Sequence, residues 1–213
     1  MESTERRNDS WLLIAGWIGL NTVSLLLAWG ATMLILSLIV KVVGDTIQVA
    51  GLTRITEDYL ASFVLIPMLG LIAGLLQFLV IRRLIPRAGG WILATFLGWV
   101  IPFAIIWLLS ILDPVVLAGN TFLALPFLLI MVGGVLGLAQ WLVLKSHIRQ
   151  SGWWILISGL AWGLTGLIIG STISETYDFW ILLLLPALAT GLGLWLLLNW
   201  LPRREVEGQV LKI

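Results

Sequence analysis

Cysteine is absent from this chain, histidine occurs once, and Asp, Glu, Lys and Arg together make up only 11% of 213 residues. Without cysteine there is no disulfide, no thiolate metal site and no thiol nucleophile. The single histidine, His147, lies between Lys145 and Arg149 in a polar turn and has no second histidine to form a metal pair. Neither an HExxH pattern nor a Walker loop is present. No Ser/His or Ser/Lys pair falls within the long apolar runs. Those runs do not clearly bury any ionisable residue, which argues against pumps and proton-coupled transporters, where a group must charge and discharge inside the membrane. The net charge of +1 gives no basic surface for nucleic acid. These absences lead to the expectation of a protein that is not an enzyme and holds no cofactor or metal.

What the chain has instead is apolar surface. It is 60% hydrophobic, with a mean hydropathy of +1.08. Soluble domains carry about 25% charged residues, and a fold of this size could not bury so much oil in water. Arg6 and Arg7 precede an uncharged run from Trp11 to Val40, which is too long for the roughly 7–15 residue core of a signal peptide. It is expected to be a retained spanning helix that tilts, bends at Gly30 or projects from the membrane. A crossing takes about 20 apolar residues. Six segments meet this: roughly 11–40, 60–81, 91–112, 121–144, 153–173 and 179–201. Residues 41–59 form the one long connection, with a weak pattern suggesting a small surface helix.

Ten basic residues fall on one set of segments: Arg6, Arg7, Arg82, Arg83, Arg87, Lys145, Arg149, Arg203, Arg204 and Lys212. The alternate connections hold only Lys41 and Arg54, together with Asp45, Glu57, Asp58, Asp113, Glu175 and Asp178. The positive-inside rule then places both termini in the cytoplasm of a bacterial inner-membrane protein. The expected layout is one membrane domain over 1–213, with cytoplasmic tails at 1–10 and 202–213.

"GLLQFLVI" at 74–81 and "GLAQWLVL" at 137–144 are nearly the same stretch. A shift of 63 aligns Gln77 with Gln140, Arg82 with Lys145, Trp91 with Trp154, Thr95 with Ser158, and Trp99 with Trp162. A fixed period of this kind signals duplication. Fainter copies at Trp11 and Pro186 extend the pattern to three hairpins, at about 11–81, 91–144 and 153–201. The expected fold is all-α: six transmembrane helices as three parallel-repeat hairpins related about the membrane normal.

A glutamine amide at membrane depth needs partners. Gln77 and Gln140 are therefore expected to act as interhelical staples, with Thr95 and Ser158 as hydroxyl partners, or else to contact a ligand. At the chain ends the faint copies put Leu194 and Ala15 at the matching positions, which favours an open row over a ring. Small residues suggest close packing: Gly159, Gly163, Gly166 and Gly170 on one face, and GxxxG pairs at Gly70/Gly74 and Gly133/Gly137. Such faces serve either internal packing or contact with a second copy or another membrane protein. Among thirteen tryptophans, Trp11, Trp91, Trp153, Trp154, Trp180 and Trp200 are expected at the interfaces. Trp29, Trp99, Trp107, Trp162 and Trp195 lie deeper, and Trp99, Trp162 and Trp195 are candidates to line an apolar pocket.

The pattern G-x-x-Q-[FW]-L-V-[IL]-[RK], followed by W-I-L-x-[ST]-x-x-x-W, resembles a loose family of uncharacterised bacterial multipass membrane proteins with GxxQWLVLR…WWILAS…GW repeats. Gln77, Gln140, Trp91, Trp99, Trp154 and Trp162 carry the resemblance over residues 70–170, and Ala161 departs from the family's Gly-Trp pair. The resemblance implies a multipass helical fold without an assigned activity. Two roles follow from the residues themselves. The first is a non-catalytic scaffold, accessory subunit or assembly partner in the lipid bilayer. The second is a passive or facilitated carrier or channel for a small neutral or apolar molecule. A continuous polar or water-filled cavity touching both glutamines would favour the second, and a dry core with outward glycine faces the first.

Overall fold

A computed structural model describes residues 2–49, 51–85, 88–112, 121–148, 150–171 and 175–200. The expected tail at 202–213, together with Arg87, Asp113 and Arg149, lies outside these residues. So do the side chains of Arg6, Arg7, Glu175, Asp178, Trp180 and Trp200. The chain runs α1 (Glu2–Val43), β1 (Thr46–Val49), β2 (Leu52–Ile55), α2 (Thr56–Ile81), α3 (Gly90–Leu112), α4 (Thr121–Leu144), α5 (Trp153–Ser171) and α6 (Glu175–Trp200).

Five of the helices are long and apolar enough to cross a membrane: Trp11–Val43, Thr56–Ile81, Gly90–Leu108, Leu125–Leu144 and Trp153–Ser171. Within the described part of α6 the apolar stretch is shorter, Leu184–Leu198. This is the character of a multipass helical membrane protein. Helices are the form such a chain takes because each satisfies its own backbone hydrogen bonds without water. Proline is accommodated within four of them, at Pro67, Pro102, Pro126 and Pro186. The first helix starts at Glu2, so most of the expected tail at 1–10 extends it, and it continues through Gly30 without a break. The apolar part of α1, 33 residues, measures about 50 Å, against a hydrocarbon core of about 30 Å.

The connection at 41–59 corrects the expected surface helix. It is a two-stranded antiparallel hairpin with Thr46 opposite Ile55 and Val49 opposite Leu52. Thr46, Ile47, Val49, Thr53 and Ile55 supply β-branched side chains, which suit a pleated strand better than a helix. Gly44 (φ 97°) ends α1 and Gly51 (φ 79°) sits in the turn, both in the left-handed region open to glycine. The amide N–H and hydroxyl of Thr56 donate to the carbonyls of Asp45 and Gly44 and tie the hairpin to the start of α2.

Each helix packs on its neighbours in sequence, and α1 also packs on α6. The six therefore close a ring, in contrast to the open row favoured by the sequence. Close approach at the seams rests on glycine. A Cβ at Gly74 would lie 3.0 Å from the Ile92 carbonyl oxygen and 3.3 Å from Thr95 Cβ. A Cβ at Gly137 would meet Ser158 Cβ at 2.9 Å and Ile155 Cα at 3.0 Å. The same 63-residue shift relates the basic turns. The amides of Ile85 and Ile148 donate to the carbonyls of Ile81 and Leu144, and those of Trp91 and Trp154 to Ala88 and Ser151. In α5, Gly159, Gly163 and Gly166 face Ile130, Gly134 and Pro126 of α4. These glycine faces are thus occupied within the chain.

Two apolar clusters fill the ring. One seals the end that carries the basic turns, with Trp17, Ile81, Ile85, Trp91, Leu144, Trp154 and Leu194 at its centre. The other lies further along the axis around Ala28, Leu69, Trp99, Val132, Leu136 and Trp162.

Candidate functional site at the bundle axis

Between the clusters lies a set of polar side chains in an otherwise apolar interior. Gln77 on α2 is 5% exposed and Gln140 on α4 is 2% exposed. Their contacts follow one plan. The Trp91 indole N–H, from α3, donates to Gln77 Oε1 at 2.9 Å, and the Trp154 indole N–H, from α5, donates to Gln140 Oε1 at 2.8 Å. Toward the preceding helix, Gln77 Nε2 donates to Asn21 Oδ1 at 2.7 Å, and Gln140 Nε2 donates to Thr95 Oγ1 at 3.1 Å. The two amides also meet directly, Gln140 Nε2 donating to Gln77 Oε1 at 3.1 Å, and Thr95 Oγ1 makes a long contact to that same oxygen at 3.4 Å. Gln77 Oε1 thus accepts from three groups.

The last seam of the ring completes the plan with a different residue. The Trp17 indole N–H, from α1, donates to Thr190 Oγ1 on α6 at 3.1 Å, and that hydroxyl donates to the Pro186 carbonyl at 2.6 Å. Trp17, Trp91 and Trp154 form an aromatic cluster, with ring centroids 5.7–6.4 Å apart in edge-on and tilted arrangements. Four residues after each stands a polar side chain, Asn21, Thr95 and Ser158 in turn. That spacing places both on one helix face.

Several expectations are revised by this geometry. Trp91 and Trp154 turn inward: both are fully buried, and their N–H groups bond to the glutamines. Trp11 and Trp153 are exposed. Trp29 and Trp107 are about half exposed on the outside of the bundle. Trp99 and Trp162 pair edge to face at 5.0 Å in the core, whereas Trp195 stacks on Trp11 at 6.1 Å, away from them. The positions matching the glutamine and hydroxyl at the chain ends are Thr190 and Asn21, where Leu194 and Ala15 were expected. Leu194 packs into the basic-end cluster instead. Trp17, Asn21 and Thr190 escaped the sequence reading; the recurring W-x-x-x-[NST] spacing was the signal that could have found the first two.

All six helices border an axial cavity of about 50 Å³. One water requires roughly 10–15 Å³ on this measure, so the space admits a molecule of a few heavy atoms. Asn21, Ser24, Gln77, Gln140, Ser158 and Thr190 provide its polar wall, and Trp99, Trp162 and Leu136 contribute to its apolar one. Trp195 is not part of the lining. Among the described residues no acidic, basic or histidine side chain borders it and no cluster of potential metal ligands occurs. Ser158, expected to pair with Gln140, is 1% exposed, borders the cavity and makes no hydrogen bond to Gln140 or to any other described residue. No family model, curated protein or solved structure matches this chain.

Proposed function

We propose that this protein is a non-catalytic, six-span membrane protein of three hairpin repeats that holds a small neutral molecule at its axis, in the manner of a passive or facilitated carrier. The observation that carries this reading is the cavity touching both glutamines, with the Ser158 hydroxyl on its wall making no hydrogen bond to a described residue. The scaffold or accessory-subunit role loses its distinguishing support, because the glycines that would have formed a docking face pack against α3, α4 and α5 within the chain. The apolar cluster at the basic end makes this a closed conformation on that side, and transport would require the three indoles to part.

The proposed site is set in the bacterial inner membrane, with the basic turns at Arg82–Arg83 and Lys145 facing the cytoplasm. Light-scattering measurements on proteoliposomes test the carrier reading. Osmotic entry of a small neutral solute is expected to exceed that of protein-free vesicles, and equal rates would remove it. Sidedness has its own check. A single cysteine replacing the exposed Ser146 should react with impermeant maleimide in inverted vesicles and not in intact spheroplasts; the opposite pattern would invert the topology.

A further inference from the structure

We infer that the axial cavity is a binding site for a small uncharged amide or urea-like solute, and that it exists because α6 lacks the glutamine that α2 and α4 carry. This rests on the ligand-holding reading above and names its chemistry. In the first two hairpins a single amide performs two tasks. Its oxygen accepts an indole N–H from the next hairpin, and its nitrogen donates to the polar side chain four residues after its own hairpin's tryptophan. Gln77 does so between Trp91 and Asn21, and Gln140 between Trp154 and Thr95. In the third hairpin Thr190 performs only the first task, accepting from Trp17. Its hydroxyl is too short to span the gap to Ser158, and both residues border the cavity.

The unfilled space therefore has the position of a carboxamide, beside a hydroxyl of the kind that receives a carboxamide N–H at the equivalent seam. A ligand bringing its own amide would donate to Ser158 Oγ as Gln140 Nε2 donates to Thr95 Oγ1. A charged analogue is disfavoured because no charged side chain among the described residues lines the cavity and desolvating an ion there is costly. An acceptor-only analogue could accept a hydrogen bond from the Ser158 hydroxyl but would offer its oxygen no donor, so it should bind more weakly.

Acetamide, acetone and acetate have the same size and differ in this chemistry, which makes them suitable probes. Ligand-detected saturation-transfer NMR on the full chain in lipid nanodiscs, with empty nanodiscs as reference, is expected to give saturable binding of acetamide. Acetone should bind roughly tenfold more weakly, the scale of one hydrogen bond, and acetate should not bind. Ser158→Ala removes no bond within the protein, so it should stay folded and weaken acetamide by about the same factor. Thr190→Gln should abolish acetamide binding and raise the thermal midpoint, since its amide would occupy the cavity and satisfy Ser158. If acetone binds as tightly as acetamide and Thr190→Gln blocks both, the amide chemistry is wrong and the ligand-holding reading stands. Acetamide binding that survives both substitutions would overturn this site. Absence of saturable binding by all three probes would overturn the ligand-holding reading itself.

Discussion

The two glutamines look interchangeable in sequence but carry different loads. Gln77 accepts from Trp91, Thr95 and Gln140 and donates to Asn21, whereas Gln140 accepts from Trp154 and donates to Thr95 and Gln77. Replacing either by leucine strands a buried indole N–H, at a cost of about 1–3 kcal/mol. Gln77→Leu also removes the donor to Asn21 Oδ1, although Asn21 Nδ2 keeps its bond to the Trp17 carbonyl, and deprives Gln140 of one acceptor, so it should be the more damaging. Unfolding midpoints in a mild detergent titrated with a harsh one compare the two; a larger loss for Gln140→Leu would contradict the asymmetric network. At this scale the sequence was partly legible. Polar residues in apolar runs announce themselves, as Gln77, Thr95, Gln140 and Ser158 did. A tryptophan does not, because the same side chain serves at an interface and in a core, and only the partner of its N–H separates Trp154 from Trp153.

At the scale of helices and turns, glycine decides how near two backbones come. A Cβ at Gly133 would sit 2.6 Å from the Ser158 carbonyl oxygen and 2.8 Å from Trp162 Cβ, while one at Gly134 would meet nothing within 4 Å. Gly133→Ala is therefore expected to destabilise the bundle by about 1–3 kcal/mol through overpacking, with Gly134→Ala near neutral. Thermal midpoints of the two variants test this, and equal shifts would deny the close α4–α5 contact. The GxxxG spacing made these seams readable in advance. The hairpin at 46–55 was not, because its four-residue strands are too short for alternation to stand out, and two strands alone are marginal without the tie from Thr56.

For the whole molecule the informative seam is the one between α1 and α6. Helix number and apolarity were legible from composition and run length. Closure was not, because the outer helices have slid from the register the faint copies suggest: Trp17 takes the place expected of Trp11, and Thr190 that of Leu194. A Cβ at Gly191 would lie 2.9 Å from Ile18 Cγ1, so the two positions meet directly across this seam. In a chain free of native cysteine, Ile18→Cys with Gly191→Cys should crosslink under oxidation within one polypeptide. Failure of that pair, with a control pair across α2 and α3 reacting, would reopen the ring.

Trp11 stacking on Trp195 brings α1 at the level of Trp11 beside the last turns of α6. The order in which the polypeptide visits its helices is therefore separable from their arrangement. Linking the end of α6 to α1 at the level of Trp11, and severing the backbone at the exposed Gly51 bend, would yield a circular permutant with all six helix interfaces retained.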